Sequence, residues 1–102
     1  SNRYGLFFYF SSNCQYCHLF APIVKMFQQK YDWDVMAISV DGKGIKEFPD
    51  YRTDNGSAVE NKIEYFPALM LFDAHTNTLQ PFQYGFSTLD ALEEKANLID
   101  TI

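Results

Sequence analysis

Apolar positions along this chain fall into runs of two kinds, continuous and periodic. Gly5-Leu6-Phe7-Phe8-Tyr9-Phe10 is continuous, β-prone and apolar on both faces, as in a central strand. Ser11-Ser12-Asn13 turns out of it, and Asn13 is a good N-cap for a helix beginning at Cys14. Phe20, Ile23, Val24, Phe27 and Tyr31 then recur at helical spacing, i, i+3, i+4, i+7 and i+11. Pro22 falls inside this pattern and predicts a kink. Asp32-Trp33-Asp34 ends the helix, and Val35-Met36-Ala37-Ile38-Ser39-Val40 reads as a second buried strand. Strand, helix and strand at this spacing predict a right-handed βαβ unit.

The apolar pattern lapses over residues 41–57, a polar, Gly-rich stretch longer than most connections in a compact domain. A functional loop is the expectation there. Ser57 can cap a short helix over roughly residues 58–64. Pro67 opens a third strand, Ala68-Leu69-Met70-Leu71-Phe72, and Asp73-Ala74-His75-Thr76-Asn77 turns into a fourth, residues 79–84. Pro81 demotes that strand to an edge or a bulge. Gly85 breaks it. Ser87 is the predicted cap of a last helix with Leu89, Leu92, Ala96 and Ile99 on one face. The string is β-α-β followed by β-β-α, an α/β chain. It predicts a four-stranded mixed sheet with helices on both faces.

Composition narrows the partners. The 102 residues suit one domain with a small core, and 18% aromatic content suits a core with large contact area per residue. The formal charge is −5 and no Lys/Arg cluster exists, which argues against nucleic acid and anionic membrane. The longest apolar stretch, about six residues, is too short to cross a bilayer, so no membrane insertion is expected. There is no signal-peptide pattern. Ser1-Asn2 reads as the remnant of a tag, and the chain is expected to be the C-terminal part of a longer secreted protein, one domain over 1–102.

The chemistry sits at the first strand-to-helix junction. Cys14-Gln15-Tyr16-Cys17 holds the only two cysteines of the sequence. Thiol–disulfide exchange needs one thiolate that attacks and a second thiol that releases the mixed disulfide. Spacing of i, i+3 in a first helical turn puts both sulfurs on one face, within bridging reach. Unsatisfied N–H groups and the helix dipole favour an anion at the first of them. Cys14 is therefore the expected nucleophile, with a pKa below the free value of about 8.5, and Cys17 the more buried resolving thiol. His18 adds a positive charge when protonated, or is simply a polar residue on an exposed helix edge.

Other chemistries use the same letters. Cys14 through His18 also matches the c-type haem attachment pattern, but here the motif follows a strand and opens a helix with a core-facing stripe. Zinc through Cys14, Cys17, His18 and His75 lacks the second Cys-x-x-Cys pair of a metal site. A purely structural disulfide would stabilise little, because the loop it closes is short. No cofactor or metal is expected. The cysteine pair alone fits a reducing cytosol and an oxidising periplasm equally.

With Cys14-Gln15-Tyr16-Cys17, Pro22, Pro67 and Gly85 in this order, the chain resembles the thioredoxin superfamily, in its minimal fold. It is more narrowly similar to the TraF/TrbB family of F-type conjugative type IV secretion systems. That likeness rests on Phe7-Phe8-Tyr9-Phe10, Cys17-His18 with Phe20-Ala21-Pro22, Ser39-Val40-Asp41-Gly42, Phe48-Pro49, Asp54-Asn55-Gly56 and Gly85-Phe86-Ser87. The resemblance implies a periplasmic thiol–disulfide oxidoreductase, isomerase-like, acting on cysteine-containing proteins of the conjugation apparatus, with a membrane or periplasmic redox partner. It implies that Pro67 is cis and that Phe66, Pro67 and Tyr16 contact substrate. The first strand and helix of a full thioredoxin are missing from this chain. The second strand is therefore expected at an edge, covered by the rest of the parent protein or by a partner.

The buried acid of thioredoxin would fall near Phe8 and its lysine companion near Ala37, and neither position is ionisable here. An isomerase or oxidase therefore fits better than a strong reductant. Two further readings stand beside the enzyme. One is a binding module presenting the 42–57 loop, with Phe48 and Tyr51 as anchors unless they pack the loop onto the body. The other is a glutaredoxin, with Lys62 as the one candidate to hold a glutathione carboxylate.

Overall fold

The computed structural model describes residues 3–100, so Ser1-Asn2 lie outside the described residues. The chain runs β1 (Tyr4–Phe10), α1 (Gln15–Tyr31), β2 (Asp34–Ser39), β3 (Tyr51–Thr53), α2 (Ser57–Glu60), β4 (Ala68–Asp73), β5 (Thr78–Tyr84) and α3 (Leu89–Asp100). The sheet order is β3-β2-β1-β4-β5. β1 is central, parallel to β2 and antiparallel to β4. Such a strand is covered on both faces, which is why its sequence is an unbroken apolar run.

The sheet has five strands where the pattern predicted four. The extra one is β3, drawn from the polar loop and paired in parallel with β2, Ala37 opposite Tyr51 and Ser39 opposite Thr53. β2 is thus not an edge, which corrects the expectation that something outside the chain must cover it. Three residues on a solvated rim give no alternation to read. The loop around β3 is itself anchored. Ile45 and Phe48 are buried, the Tyr51 hydroxyl donates to Gly42 O at 3.1 Å, and Lys25 Nζ stands 4.5 Å over the Phe48 ring. Gly44 lets the backbone pass close to Tyr51, since a Cβ there would lie 2.9 Å from the ring. On the other side of the sheet β5 is an edge, with Pro81 beside a register shift in its ladder to β4.

Side-chain alternation sends Leu6, Phe8 and Phe10 to one face of β1 and Phe7 and Tyr9 to the other. The first face meets α1 and α3. Cys17, Phe20, Ala21, Val24 and Phe27 of α1, with Leu92 and Ala96 of α3, close a single buried cluster with Trp33 and Phe82. α1 stays helical through Pro22, which faces solvent. The second face carries a smaller cluster of Tyr9, Ile38, Ala58, Ile63, Ala68 and Met70 under α2. The Tyr9 hydroxyl meets Ser57 Oγ at 2.9 Å, so its burial leaves no lone polar atom.

Helix ends shift by about a residue from the predicted caps. Cys14, not Asn13, caps α1, its own sulfur accepting the Cys17 N–H at 3.0 Å. The short helix begins at Ser57, its first N–H groups bonded to Asp54 Oδ1 at 3.0 and 3.3 Å, and it ends at Glu60. At α3 the capping oxygen is Thr88 Oγ1, 3.2 Å from the Ala91 N–H, and not that of Ser87.

Two outcomes follow from the packing and the charges. Phe27 meets Trp33 edge-on at 5.3 Å inside the main cluster and stacks at 4.6 Å on Tyr31, which packs against it. Phe27→Ala should lower the unfolding free energy by about 3–5 kcal/mol in urea titration. Val59→Ala, on an 82% exposed side chain, should stay within about 0.5 kcal/mol. Asp73 accepts from Arg3 Nε and Nη2 at 3.1 and 3.0 Å, chiefly lowering its pKa from 3.8 to about 2. The folded state therefore releases that proton more readily than the unfolded chain. The stabilisation is complete above the unfolded value and is lost as pH falls from about 4 through about 2. Asp73→Asn should flatten that part of the acid-unfolding curve, and an unchanged curve would remove the assignment.

Candidate active site

The two cysteines are joined as a disulfide, with their Cα atoms 5.1 Å apart. Their burial differs sharply. Cys17 is fully buried and belongs to the main core cluster, whereas Cys14 is half-buried at the helix mouth. The cause is helical phase. Cys17 precedes Phe20, Ala21, Val24 and Phe27 on the same stripe, and Cys14 stands one turn earlier, at the cap. Only Cys14 is open to an incoming sulfur.

The surroundings of Cys14 suit a negative charge. Its Sγ accepts the Cys17 N–H at 3.0 Å, and its carbonyl accepts from Cys17 and His18 N–H at 3.1 and 3.2 Å. The Cys17 N–H is the donor that reaches the sulfur, at the positive end of the helix dipole where a thiolate would form, while the His18 N–H closes the first helical turn on the carbonyl. Phe8 and Ala37, at most 1% exposed, are direct neighbours across the β1–β2 ladder.

The Phe66–Pro67 peptide is cis, and it lies against the pair, with Cys14 Sγ 3.5 Å from Phe66 O. Pro67 is buried, and its carbonyl accepts the Gly85 N–H at 2.8 Å, which brings the end of β5 alongside. That contact carries Phe86 to the site. Its ring lies 5.8 Å from Phe20 and 6.3 Å from Tyr16, and both Tyr16 and Phe86 are largely exposed. Cys14, Cys17, Phe66, Pro67 and Tyr16 are thus brought together. Phe86 carries no local sequence signal that predicts this placement.

His18 is exposed, and its ring turns back over the turn before Cys14, Nε2 lying 2.7 Å from Ser12 O. Asp41 accepts from Ser12 N, Ser12 Oγ, Ser39 Oγ and Lys43 N, contacts that no local sequence pattern predicts. The hydrogen bond from the Ser12 hydroxyl leads the effects that hold its carboxyl well below the usual carboxylate range. His75 lies in the β4–β5 turn, and among the described residues no group of three or more His, Cys, Asp or Glu is arranged to hold a metal. Lys62 shares a cavity of about 140 Å³ with Glu64, Tyr65 and Tyr84, small beside the usual ligand pocket of about 300 Å³ or more. Phe48 is buried and Tyr51 half-buried, so both fasten the loop to the body.

Known proteins resemble this chain in sequence and in fold. Residues 1–97 match the model of the TraF family, described as F plasmid transfer operon protein. The chain is similar to Protein TraF of Escherichia coli K12, 33% identical over 95 residues, which are 93% of this chain and 38% of that protein. It is similar to Protein TrbB of the same organism over 42 residues at 36% identity, 41% of this chain and 23% of that one. The chain thus spans well under half the length of these relatives. Among solved structures, chloroplastic thioredoxin z superposes with a TM-score of 0.71 at 20% identity, over 98% of this chain and 80% of that one. The fold is a thioredoxin fold with a Cys-x-x-Cys pair at its first helix, and by the match over nearly its whole length the chain belongs to the TraF family.

Proposed function

We propose that this chain is the redox domain of a periplasmic thiol–disulfide oxidoreductase, isomerase-like, working on cysteine-containing proteins of the conjugation apparatus. The observation that carries the reading is the unequal burial of the pair: one sulfur meets solvent beside a cis-proline, and its partner is sealed in the core. This asymmetry fixes the order of events. In the oxidised form a substrate thiolate attacks Cys14 Sγ. The Cys14–Cys17 bond breaks, and Cys17 leaves as a thiolate that takes up a proton. A second substrate thiolate then attacks the substrate sulfur of the mixed disulfide and releases Cys14 as a thiolate. The substrate loses two electrons and gains a disulfide, and the pair is left reduced.

From the reduced pair the same contacts run isomerisation. Cys14 thiolate opens a wrong substrate disulfide, the freed substrate thiolate attacks elsewhere, and Cys14 departs unchanged. Cys17 ends the cycle only when the substrate stalls. The Phe66 backbone beside Cys14, with the Tyr16 and Phe86 rings, supports docking of an extended substrate segment here. The absence of an ionisable group at Phe8 and Ala37 supports the isomerase reading over a strong reductant, because no buried acid stands by to move the Cys17 proton. The periplasmic assignment rests on the family, as do the conjugation substrates and a redox partner that resets the pair.

Refolding of scrambled ribonuclease and insulin reduction test the enzyme. Wild type should accelerate both, and Cys14→Ser should fall to the uncatalysed rate. Cys17→Ser should accumulate mixed disulfide on Cys14. No activity in either assay, or a Cys14→Ser variant equal to wild type, would sink the enzyme reading. Full complementation of conjugation by the Cys14/Cys17 double Ser variant would point instead to a binding module. The pair's potential should lie well above the about −270 mV of thioredoxin and nearer the about −180 mV of a disulfide isomerase.

A further inference from the structure

We propose that Asp41 is a positioning residue for the thiol chemistry: from the end of β2 it grips Ser12, and with His18 it holds the turn before Cys14 so that the sulfur stays under the Cys17 N–H once the disulfide opens. This deepens the redox reading above and rests on it.

Ser12 is engaged at every polar atom. Its N–H donates to Asp41 Oδ1 and Oδ2 at 3.2 Å each, and its hydroxyl donates to Asp41 Oδ2. Its carbonyl faces His18 Nε2 at 2.7 Å. A carbonyl oxygen only accepts, so Nε2 carries the proton in this contact and the histidine holds Ser12 from the far side. The neighbouring residues continue the lock. The Cys14 N–H donates to Ser11 O at 3.1 Å, and the Asn13 N–H to Ser11 Oγ at 3.3 Å.

Asp41 is itself fixed. β1 and β2 end side by side, Phe10 opposite Ser39, and the Val40 N–H donates to Phe10 O at 2.9 Å. Fully buried Ser39 places its hydroxyl 2.9 Å from Asp41 Oδ1 and 2.7 Å from Lys43 O, one proton between two acceptors. The Lys43 N–H adds a contact to Oδ1 at 3.3 Å. With its lone pairs occupied by donors, the carboxylate stays ionised and cannot shuttle the protons of exchange. It acts through geometry.

That geometry matters most after reduction. In the oxidised form the bond to Cys17 holds Cys14 in place. Without it, the sulfur keeps its place through the turn that carries it. A charge-assisted hydrogen bond from N–H to thiolate is roughly twice as strong as a neutral one and is lost when the geometry slackens. Asp41 also has an opposite effect, since its negative charge near the helix mouth disfavours a thiolate. Removing the grip makes Cys14 less reactive, and removing the charge makes it more reactive. The sign of the change separates the two.

The experiment is alkylation of Cys14 by iodoacetamide in a Cys17→Ser background, where the backbone N–H of residue 17 is kept and a single thiol reacts. Asp41→Ala should slow the reaction at about pH 7 by roughly ten-fold. Asp41→Asn keeps one acceptor oxygen and should slow it less. Ser12→Ala loses only the hydroxyl bond and should show a smaller slowing in the same direction, which decides the matter if Asp41→Ala does not fold. With both cysteines present, a ten-fold loss of thiolate stabilisation corresponds to a potential about 30 mV more negative. An unchanged or faster rate in Asp41→Ala, or in Ser12→Ala, overturns the proposal. Alkylation needs no substrate turnover, so the result stands whether or not the chain proves to be an isomerase.

Discussion

Cys17 lies on the same buried stripe of α1 as Phe20, Ala21, Val24 and Phe27, and the packing of that stripe against β1 governs the rest of the molecule. Phe8 sets its ring 6.3 Å from Phe20, edge to face, and Phe10 packs on Phe8 at 5.4 Å. Aromatic contacts of this kind carry large area and a preferred angle, so they fix the helix in rotation as well as position. Rotation is what the chemistry needs. A helix turned by one residue would expose the resolving sulfur or bury the attacking one. The core therefore does more than stabilise: it decides which of two chemically identical thiols meets a substrate.

The same packing leaves apolar side chains at the core positions Phe8 and Ala37. The groups that face Cys14 and its turn lie at the rim. They are the N–H groups of the first helical turn, the ring of His18 held against Ser12, and the fixed charge of Asp41. Fixed dipoles and saturated charges cost no reorganisation when a thiolate forms. Protons are then left to exchange with water at the exposed side of Cys14.

Much of this was legible in the letters, and the misses have physical causes. The strands of the core and the stripe of α1 are strongly periodic or continuously apolar, so β1, β2, β4, β5 and α1 fell where the pattern put them, within a residue or so at the ends. β3 has three residues, two of them exposed, and carries no period. Its pairing depends on Ile45 and Phe48 pinning the loop from within, a tertiary cause invisible to local reading. The caps differ in a similar way: Asn13 has the better propensity, but the Cys14 sulfur takes the bond, and Ser57 stands inside the short helix, its own N–H and that of Ala58 held by Asp54. At the site, the cysteine pair was readable from its spacing and the cis Pro67 from the family resemblance, and the structure brings both together with Phe66. Asp41 and Phe86 were not readable, because each reaches the site across the sheet from a distant part of the sequence.

The position of β3 also changes what the domain asks of its surroundings. A buried central strand beside an open β2 would have needed a partner strand from elsewhere. Here the loop supplies its own, and the new edge is short and bears Arg52 and Thr53 on exposed positions. The opposite edge, β5, carries Pro81 and a register shift. Short length, charge, proline and irregularity are the devices that keep sheet edges from pairing with other chains. On the docking proposed above, such edges leave the backbone beside the sulfurs, rather than either rim of the sheet, as the place for an extended segment.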